Sequence, residues 1–134
     1  MRKNIKRLSV FIAWMLAFST AVSVSADSIH SIIFVNQTSA QSETKTFSGS
    51  VGMVGINDQA STNNLYYEVY QDVSGVDPCI YSVLLSPGTG NMSTQSWYVI
   101  TAGYNVGTSK NLYIVLNPEG LGGKYCYGAG QLGQ

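Results

Sequence analysis

The sequence predicts a small all-β protein, an antiparallel β-sandwich of about seven strands. Residues 27–134 show no sustained helical repeat of apolar residues. Short stretches rich in Val, Ile, Tyr and Thr are instead separated by Gly, Asn, Ser, Asp and Pro, which is typical of strands and turns. The connections are too short for the crossover helices of a parallel sheet. These observations favour two antiparallel sheets packed face to face over the other possibility, a barrel.

The first 26 residues have the three parts of a secretory signal peptide. A basic segment from Arg2 to Arg7 is followed by an apolar run from Leu8 to about Val22 and a small-residue ending at Ala26. The run is shorter than the roughly 20 residues that cross a bilayer. We therefore expect cleavage after Ala26, secretion without a stable membrane anchor, and one domain over 27–134. A periplasmic or cell-surface location stays open.

The charge of the segment 27–134 excludes two classes of partner. It holds three lysines, no arginine and seven carboxylates, a net charge of −4. Nucleic-acid binders neutralise phosphates with Lys and Arg, and anionic membranes attract basic segments. We expect neither as a partner, and no motif in the sequence predicts a cofactor.

The first three strands are predicted at about 30–37, 44–56 and 65–73. The first is centred on the apolar run Ile32 to Val35, and the second puts Phe47, Val51 and Met53 on one face. The third alternates clearly between apolar and polar residues, as a strand with one buried face does. The loop at 57–64 between the second and third strands is polar.

The last four strands are predicted at about 79–85, 92–102, 111–116 and 123–129. The fourth is apolar on both faces apart from Ser82, and the fifth carries Trp97 to Ile100. Gly- and Pro-rich turns at 86–91 and 118–122 separate these strands. The tail 130–134 offers little to pack, so we expect it to be loose.

Two cysteines, Cys79 and Cys126, are present in the whole chain. An even pair of cysteines in an exported protein most often forms a disulfide. The bond would join the fourth and seventh predicted strands and would remove about 4 kcal/mol of unfolded-chain entropy. The sequence therefore predicts a sandwich closed by one disulfide.

The candidate binding surface is a row of tyrosines on the outer face of the third strand. Tyr66 and Tyr70 lie on the face opposite the apolar one, with Glu68 between them, and Tyr113 takes the same position on the sixth strand. Flat amphipathic rings can stack on sugars or contact a protein partner. Tyrosine also favours strands for purely structural reasons, so a structural role stays open.

Signals for catalysis or metal binding are weak. His30 is the one histidine, near the expected new N-terminus, and no nucleophile motif accompanies it. Glu68 and Asp72 would be roughly 13 Å apart on one strand, too far to act as a glycosidase pair. Asp72 and Asp77 are weak calcium candidates because their spacing lacks the ligand density of a calcium loop. We expect no catalytic residue and no metal.

These observations predict a secreted, non-enzymatic β-sandwich that acts as an extracellular binding or surface-structural module. Its expected partners are a carbohydrate or another surface protein. Three alternatives stay open: a subunit that self-assembles into fibres by strand addition, a small pore-forming or antibacterial toxin, and a hydrolase of an extracellular polymer.

Overall fold

A computed structural model describes residues 27–134, so the predicted signal peptide lies outside the described residues. The strands of this part are β1 (Ser28–Ile33), β2 (Ala40–Gln41), β3 (Lys45–Phe47), β4 (Ser50–Asn57), β5 (Leu65–Gln71), β6 (Cys79–Leu85), β7 (Tyr98–Asn105), β8 (Lys110–Pro118) and β9 (Gly128–Gly133). None of the described residues belongs to a helix of the length and apolarity that crossing a bilayer takes.

The strands form two sheets in which every pairing between named strands is antiparallel, which confirms the predicted all-β sandwich, although the described residues hold nine strands where about seven were predicted. Sheet A has the order β1-β9-β4-β7, and sheet B has the order β2-β8-β5-β6, with β3 also paired to β8. The core lies between them. Its largest members are fully buried and come from both sheets: Ile29, Ile33, Phe47, Met53, Leu65, Tyr67, Leu112, Ile114, Leu116 and Leu132.

Strand β5 shows most directly how the sequence builds this core. Leu65, Tyr67 and Val69 are fully buried, while Tyr66 and Glu68 between them are half-buried on the opposite face. This two-residue period is the one that the sequence predicts, because successive side chains of a strand point to opposite faces.

The second predicted strand is in fact two strands in different sheets. The chain leaves sheet B after Phe47 and enters sheet A at Ser50. Gly49 makes this change of sheet at a φ of 70°, a conformation that glycine adopts without steric cost. Phe47, Val51 and Met53 all reach the core, as predicted, although they reach it from opposite sides.

The C-terminal segment is the largest departure from the prediction. Residues 130–134 were expected to be loose, but β9 pairs with β1 on one side and with β4 on the other. Leu132 is fully buried in the core. The segment Gly128–Gly133 is half glycine and has only one large apolar residue, so its sequence lacks the apolar pattern of an interior strand.

Tyr67 explains why β9 carries a glycine at position 130. A Cβ built on Gly130 would lie 2.7 Å from the Tyr67 ring, so the ring occupies the space that a side chain would need. The Tyr67 hydroxyl donates a 2.8 Å hydrogen bond to the backbone oxygen of Gln131. Burial raises the pKa of this hydroxyl well above its ordinary value, with a smaller effect from Tyr81. The Tyr67 hydroxyl is therefore a neutral hydrogen-bond donor held between the two sheets.

One long loop, residues 86–97, packs onto the outer face of sheet A. It brings Met92 over Ile56 and Ala129, and these three side chains form a second, smaller buried cluster. The Asp58 carboxylate holds the loop by accepting a 2.8 Å hydrogen bond from the Met92 backbone N–H. This contact explains why Ile56 is apolar although it points away from the main core.

The predicted disulfide is absent, because Cys79 and Cys126 are both free thiols. Cys79 lies opposite Tyr70, near the end of β5. The Cys126 thiol lies at the other end of β5, 3.3 Å from the backbone oxygen of Asn63 and 3.4 Å from that of Asn64. Six residues of strand span roughly 20 Å, whereas bridged cysteines have Cα atoms less than about 7 Å apart.

The fit of Tyr67 against β9 predicts the effect of a single methyl group. We expect Gly130→Ala to lower the free energy of unfolding by about 1–3 kcal/mol, because the methyl must displace a buried ring. Gly52→Ala in β4 is the matched control, since its Cβ would meet nothing closer than 3.8 Å. Urea unfolding of both variants tests this, and equal stability would contradict the account of the Tyr67 contact.

The cysteine geometry predicts two free thiols of different reactivity. Burial raises the pKa of Cys126 to about 11, and burial followed by the Glu68 charge raises that of Cys79. A disulfide-exchange reagent at pH 8 should modify exposed Cys79 more slowly than a free cysteine, because little thiolate is present. Cys126 should react after unfolding only, and Cys79→Ser should remove the first reaction. A folded chain that yields thiols after reduction only would contradict the structure.

Candidate functional site

The four predicted binding residues come together on the outer face of sheet B, the surface here called the tyrosine face. Tyr66, Glu68 and Tyr70 project from β5 on this side, and Tyr113 of β8 is directly opposite Tyr70 in the strand register. Tyr66, Glu68 and Tyr70 are half-buried, and Tyr113 is buried with 9% of its surface exposed. The accessible part of the face is therefore formed by the residues of β5, and Tyr113 is buried beside Tyr70 at one end.

Tyr70 and Tyr113 form a stacked pair whose hydroxyl groups both contact carboxylates. Their ring centroids are 5.6 Å apart at an interplanar angle of 12°. The Tyr70 hydroxyl donates to Oε2 of Glu68 at 3.2 Å, and the Tyr113 hydroxyl donates to Oδ2 of Asp77 at 2.7 Å. Cross-strand aromatic pairs of this kind stabilise a sheet, so the stack holds both rings in place.

The ionisation of these groups follows from the same contacts. Burial, followed by the Glu68 carboxylate, raises the pKa of Tyr70 to about 12. Burial, followed by Asp77, raises the pKa of Tyr113 to about 12. The pKa of Asp77 is lowered, chiefly by the hydrogen bond from the Val73 backbone N–H and then by that from Tyr113. At neutral pH the tyrosines are therefore neutral donors and Asp77 is a charged acceptor.

Polar groups surround the open part of the tyrosine face. Glu68 has Ser82 of β6 on one side and Val115 of β8 on the other, and Gln41 of β2 lies beyond Val115. Tyr66 lies between Leu84 and Asn117. The rings therefore share a sheet surface with a carboxylate, two amides and a hydroxyl, which are the groups that bind polar ligands.

Of the two weak calcium candidates, Asp77 has its carboxylate engaged in hydrogen bonds within the protein. Both oxygens of Asp77 accept hydrogen bonds within the protein, Oδ1 from Val73 at 3.0 Å and Oδ2 from Tyr113. Over residues 27–134, no group of three or more His, Cys, Asp and Glu side chains could hold a metal ion. His30 lies on the other sheet, exposed and opposite Gln131 of β9.

A second exposed surface, here called the end patch, was missed in the sequence. It comprises Phe34 and Val35 after β1 together with Tyr125 and Tyr127 before β9. Phe34 stacks on Tyr127 with centroids 6.0 Å apart, and the Tyr125 N–H donates to the Val35 oxygen at 2.9 Å. Phe34, Val35 and Tyr125 are 45%, 48% and 63% exposed.

Backbone strain coincides with the end patch. Tyr125 has a φ of 72°, which is unusual for a bulky residue and costs of the order of 1–3 kcal/mol. Its backbone is fixed by the bond to Val35 and by the Thr62 N–H, which donates to the Tyr125 oxygen at 3.0 Å. The sequence gives no sign of this patch, because the two loops that form it are about ninety residues apart.

The fold and the site together define a class, a two-sheet antiparallel β-sandwich with an aromatic, acidic sheet face. Comparison of the chain with models of protein families, with curated proteins and with solved structures finds no match. The function must therefore be inferred from the site itself.

The lowered pKa of Asp77 predicts a dependence of stability on pH. The contribution of the Asp77 carboxylate to the free energy of unfolding is fully present above its unfolded-state pKa of about 3.9. It is lost as the pH falls through the lower pKa of the folded state. Asp77→Asn should therefore be less stable than the wild type at neutral pH, and the two stabilities should converge in acid. Asp72→Asn is the control, because Asp72 lies in the same loop but accepts neither of these bonds. If urea unfolding shows the same difference in stability between wild type and Asp77→Asn at every pH, the role given to the Asp77 carboxylate is contradicted.

Proposed function

We propose that this protein is an exported, non-enzymatic module that binds polysaccharide through the tyrosine face. The observation that carries the proposal is the placement of Tyr66 and Tyr70 on either side of Glu68 on one half-exposed sheet surface. Aromatic rings supply apolar area at low entropic cost, and their hydroxyl groups supply hydrogen bonds. The export part of the proposal depends on residues 1–26.

The spacing of the two rings favours a polymer over a single sugar. Tyr66 and Tyr70 are four residues apart on β5, which corresponds to roughly 13 Å along the strand. This separation is wider than one pyranose ring, so the two tyrosines fit different sugar units of one chain. Glu68 then faces the unit between them.

The groups around the rings favour a ligand rich in hydroxyl groups over an apolar protein surface. Ser82 and Gln41 are exposed, Asn117 is half-buried, and Leu84 is the one large exposed apolar side chain beside them. Protein interfaces are usually centred on a buried apolar or aromatic cluster. The centre of the tyrosine face is instead the Glu68 carboxylate, which supports the assignment of a polar ligand.

The placement of the carboxylates supports binding over hydrolysis. A glycosidase needs two carboxyl groups about 5–10 Å apart on either side of the bond that it cleaves. Among residues 27–134, Asp77 is the other carboxylate that accepts a hydrogen bond from a residue of the tyrosine face, and its two oxygens are taken up by the Val73 N–H and the Tyr113 hydroxyl. Glu68 is therefore better suited to hold a sugar than to cleave one.

Two of the edge strands, β7 and β6, are poorly suited to fibre assembly. The pairing of β7 with β4 shifts register twice, and each shift leaves an extra residue in β7. β6 has a similar extra residue opposite Val69 and Tyr70, and the Tyr104 hydroxyl donates to its Ile80 oxygen at 3.2 Å. Bulges twist an edge away from further strands, which makes strand addition at these two edges the less supported alternative.

The proposal predicts that removing both rings weakens binding. The mature protein should bind insoluble polysaccharide in a pull-down assay with a panel of β-glucans, chitin and cell-wall material. Tyr66→Ala combined with Tyr70→Ala should weaken this binding at least about tenfold, since each lost aromatic contact is worth of the order of 1 kcal/mol or more.

Two controls make this test specific. Tyr98→Ala removes an exposed tyrosine from sheet A and should leave binding unchanged. Tyr70→Phe keeps the ring beside Tyr113 but removes the hydroxyl, so binding should be largely retained. Circular dichroism should confirm that each variant is folded. Binding that survives in the folded double variant would overturn the assignment to the tyrosine face.

A further inference from the structure

The charged side chains at the tyrosine face all have the same sign. Glu68 lies at its centre, and Asp77 lies at the end that the loop closes. Asp72 is close enough to act electrostatically on Tyr113. The face is therefore both aromatic and negative.

The cations of the described residues lie elsewhere. Lys45 forms an ion pair with Asp27 at 3.3 Å. The Lys110 amine donates to the Val106 oxygen beyond β7, and Lys124 lies in the loop before β9. Within residues 27–134, no lysine or histidine is in the strand rows that form the tyrosine face.

Glu68 keeps an acceptor for a ligand. One carboxylate oxygen accepts the bond from Tyr70, and the other oxygen accepts no hydrogen bond within residues 27–134. Because the side chain is half-buried, a cation bound there would be partly shielded from water. Charge-assisted hydrogen bonds are stronger than neutral ones under these conditions.

Building on the proposed function, we infer that the polysaccharide is a cationic amino-sugar polymer with free, protonated amines. The ammonium group of the central unit pairs with Glu68, and the neighbouring units stack on Tyr66 and Tyr70. Positive charge near tyrosine rings adds a cation–π attraction. A neutral polymer lacks the ion pair, and an anionic polymer meets repulsion from the same carboxylates.

Three soluble oligosaccharides test this inference on the wild-type protein, because they share one β-1,4-linked backbone. They are hexamers of glucosamine, of N-acetylglucosamine and of glucose, which differ at C2 in carrying an ammonium, an acetamide or a hydroxyl group. Titration calorimetry at pH 6 and low salt should show about tenfold tighter binding of the glucosamine hexamer. The difference should shrink as salt screens the ion pair.

Variants then test whether Glu68 causes the preference for the glucosamine hexamer. Glu68→Gln should bring the affinity for the glucosamine hexamer down to that for the neutral hexamers, while Glu119→Gln, the same change in the loop after β8, should leave it intact. Equal affinities of the wild type for all three hexamers, or an unchanged preference in Glu68→Gln, would overturn the inference and leave the proposed function standing. Absence of binding to all three hexamers and to the insoluble panel would overturn the proposed function as well.

Discussion

The contact between Tyr67 and β9 is the constraint on which the rest of the structure depends. Tyr67 comes from sheet B, fills the space above Gly130 of sheet A and bonds to the Gln131 oxygen, so one side chain joins the two sheets. It also fixes the face of β5, because its burial forces Tyr66 and Glu68 to the other side of the strand. A shift of β5 by one residue would bury the carboxylate and expose the core. The register that builds the core is therefore also the register that forms the tyrosine face.

Loops decide how much of each outer face stays available. The loop 86–97 covers one end of sheet A with Met92, and the loop 72–78 covers one end of sheet B through Asp77 and Tyr113. The part of sheet B around Tyr66 and Glu68 remains accessible. The covered end restrains Tyr70, because Asp77 accepts a hydrogen bond from Tyr113 and the Tyr113 ring stacks on that of Tyr70. A ring fixed before binding loses less conformational entropy when a ligand stacks on it.

The cysteines show how a general expectation can fail on a particular geometry. Two cysteines in an exported chain favour a disulfide, but β5 separates Cys79 from Cys126 along most of its length. The antiparallel pairing and buried core of the 108-residue segment hold β1 and β9 in place without a covalent bond. β9, which the bond was expected to hold, is instead fixed by pairing on both sides.

The fold class, the bounds of β6 and the alternation of β5 could be predicted from the sequence, and with these the common face of Tyr66, Glu68 and Tyr70. Those features are local, since a period of two residues can be read within one strand. The tertiary structure alone decided that the glycine-rich end is an interior strand, that the chain changes sheet at Gly49, and that Phe34 and Tyr125 meet in one patch. Each of these depends on contacts between segments that are distant in the chain. A neighbouring ring can require a glycine, as Tyr67 requires Gly130. The sequence of β9 alone does not indicate that neighbour.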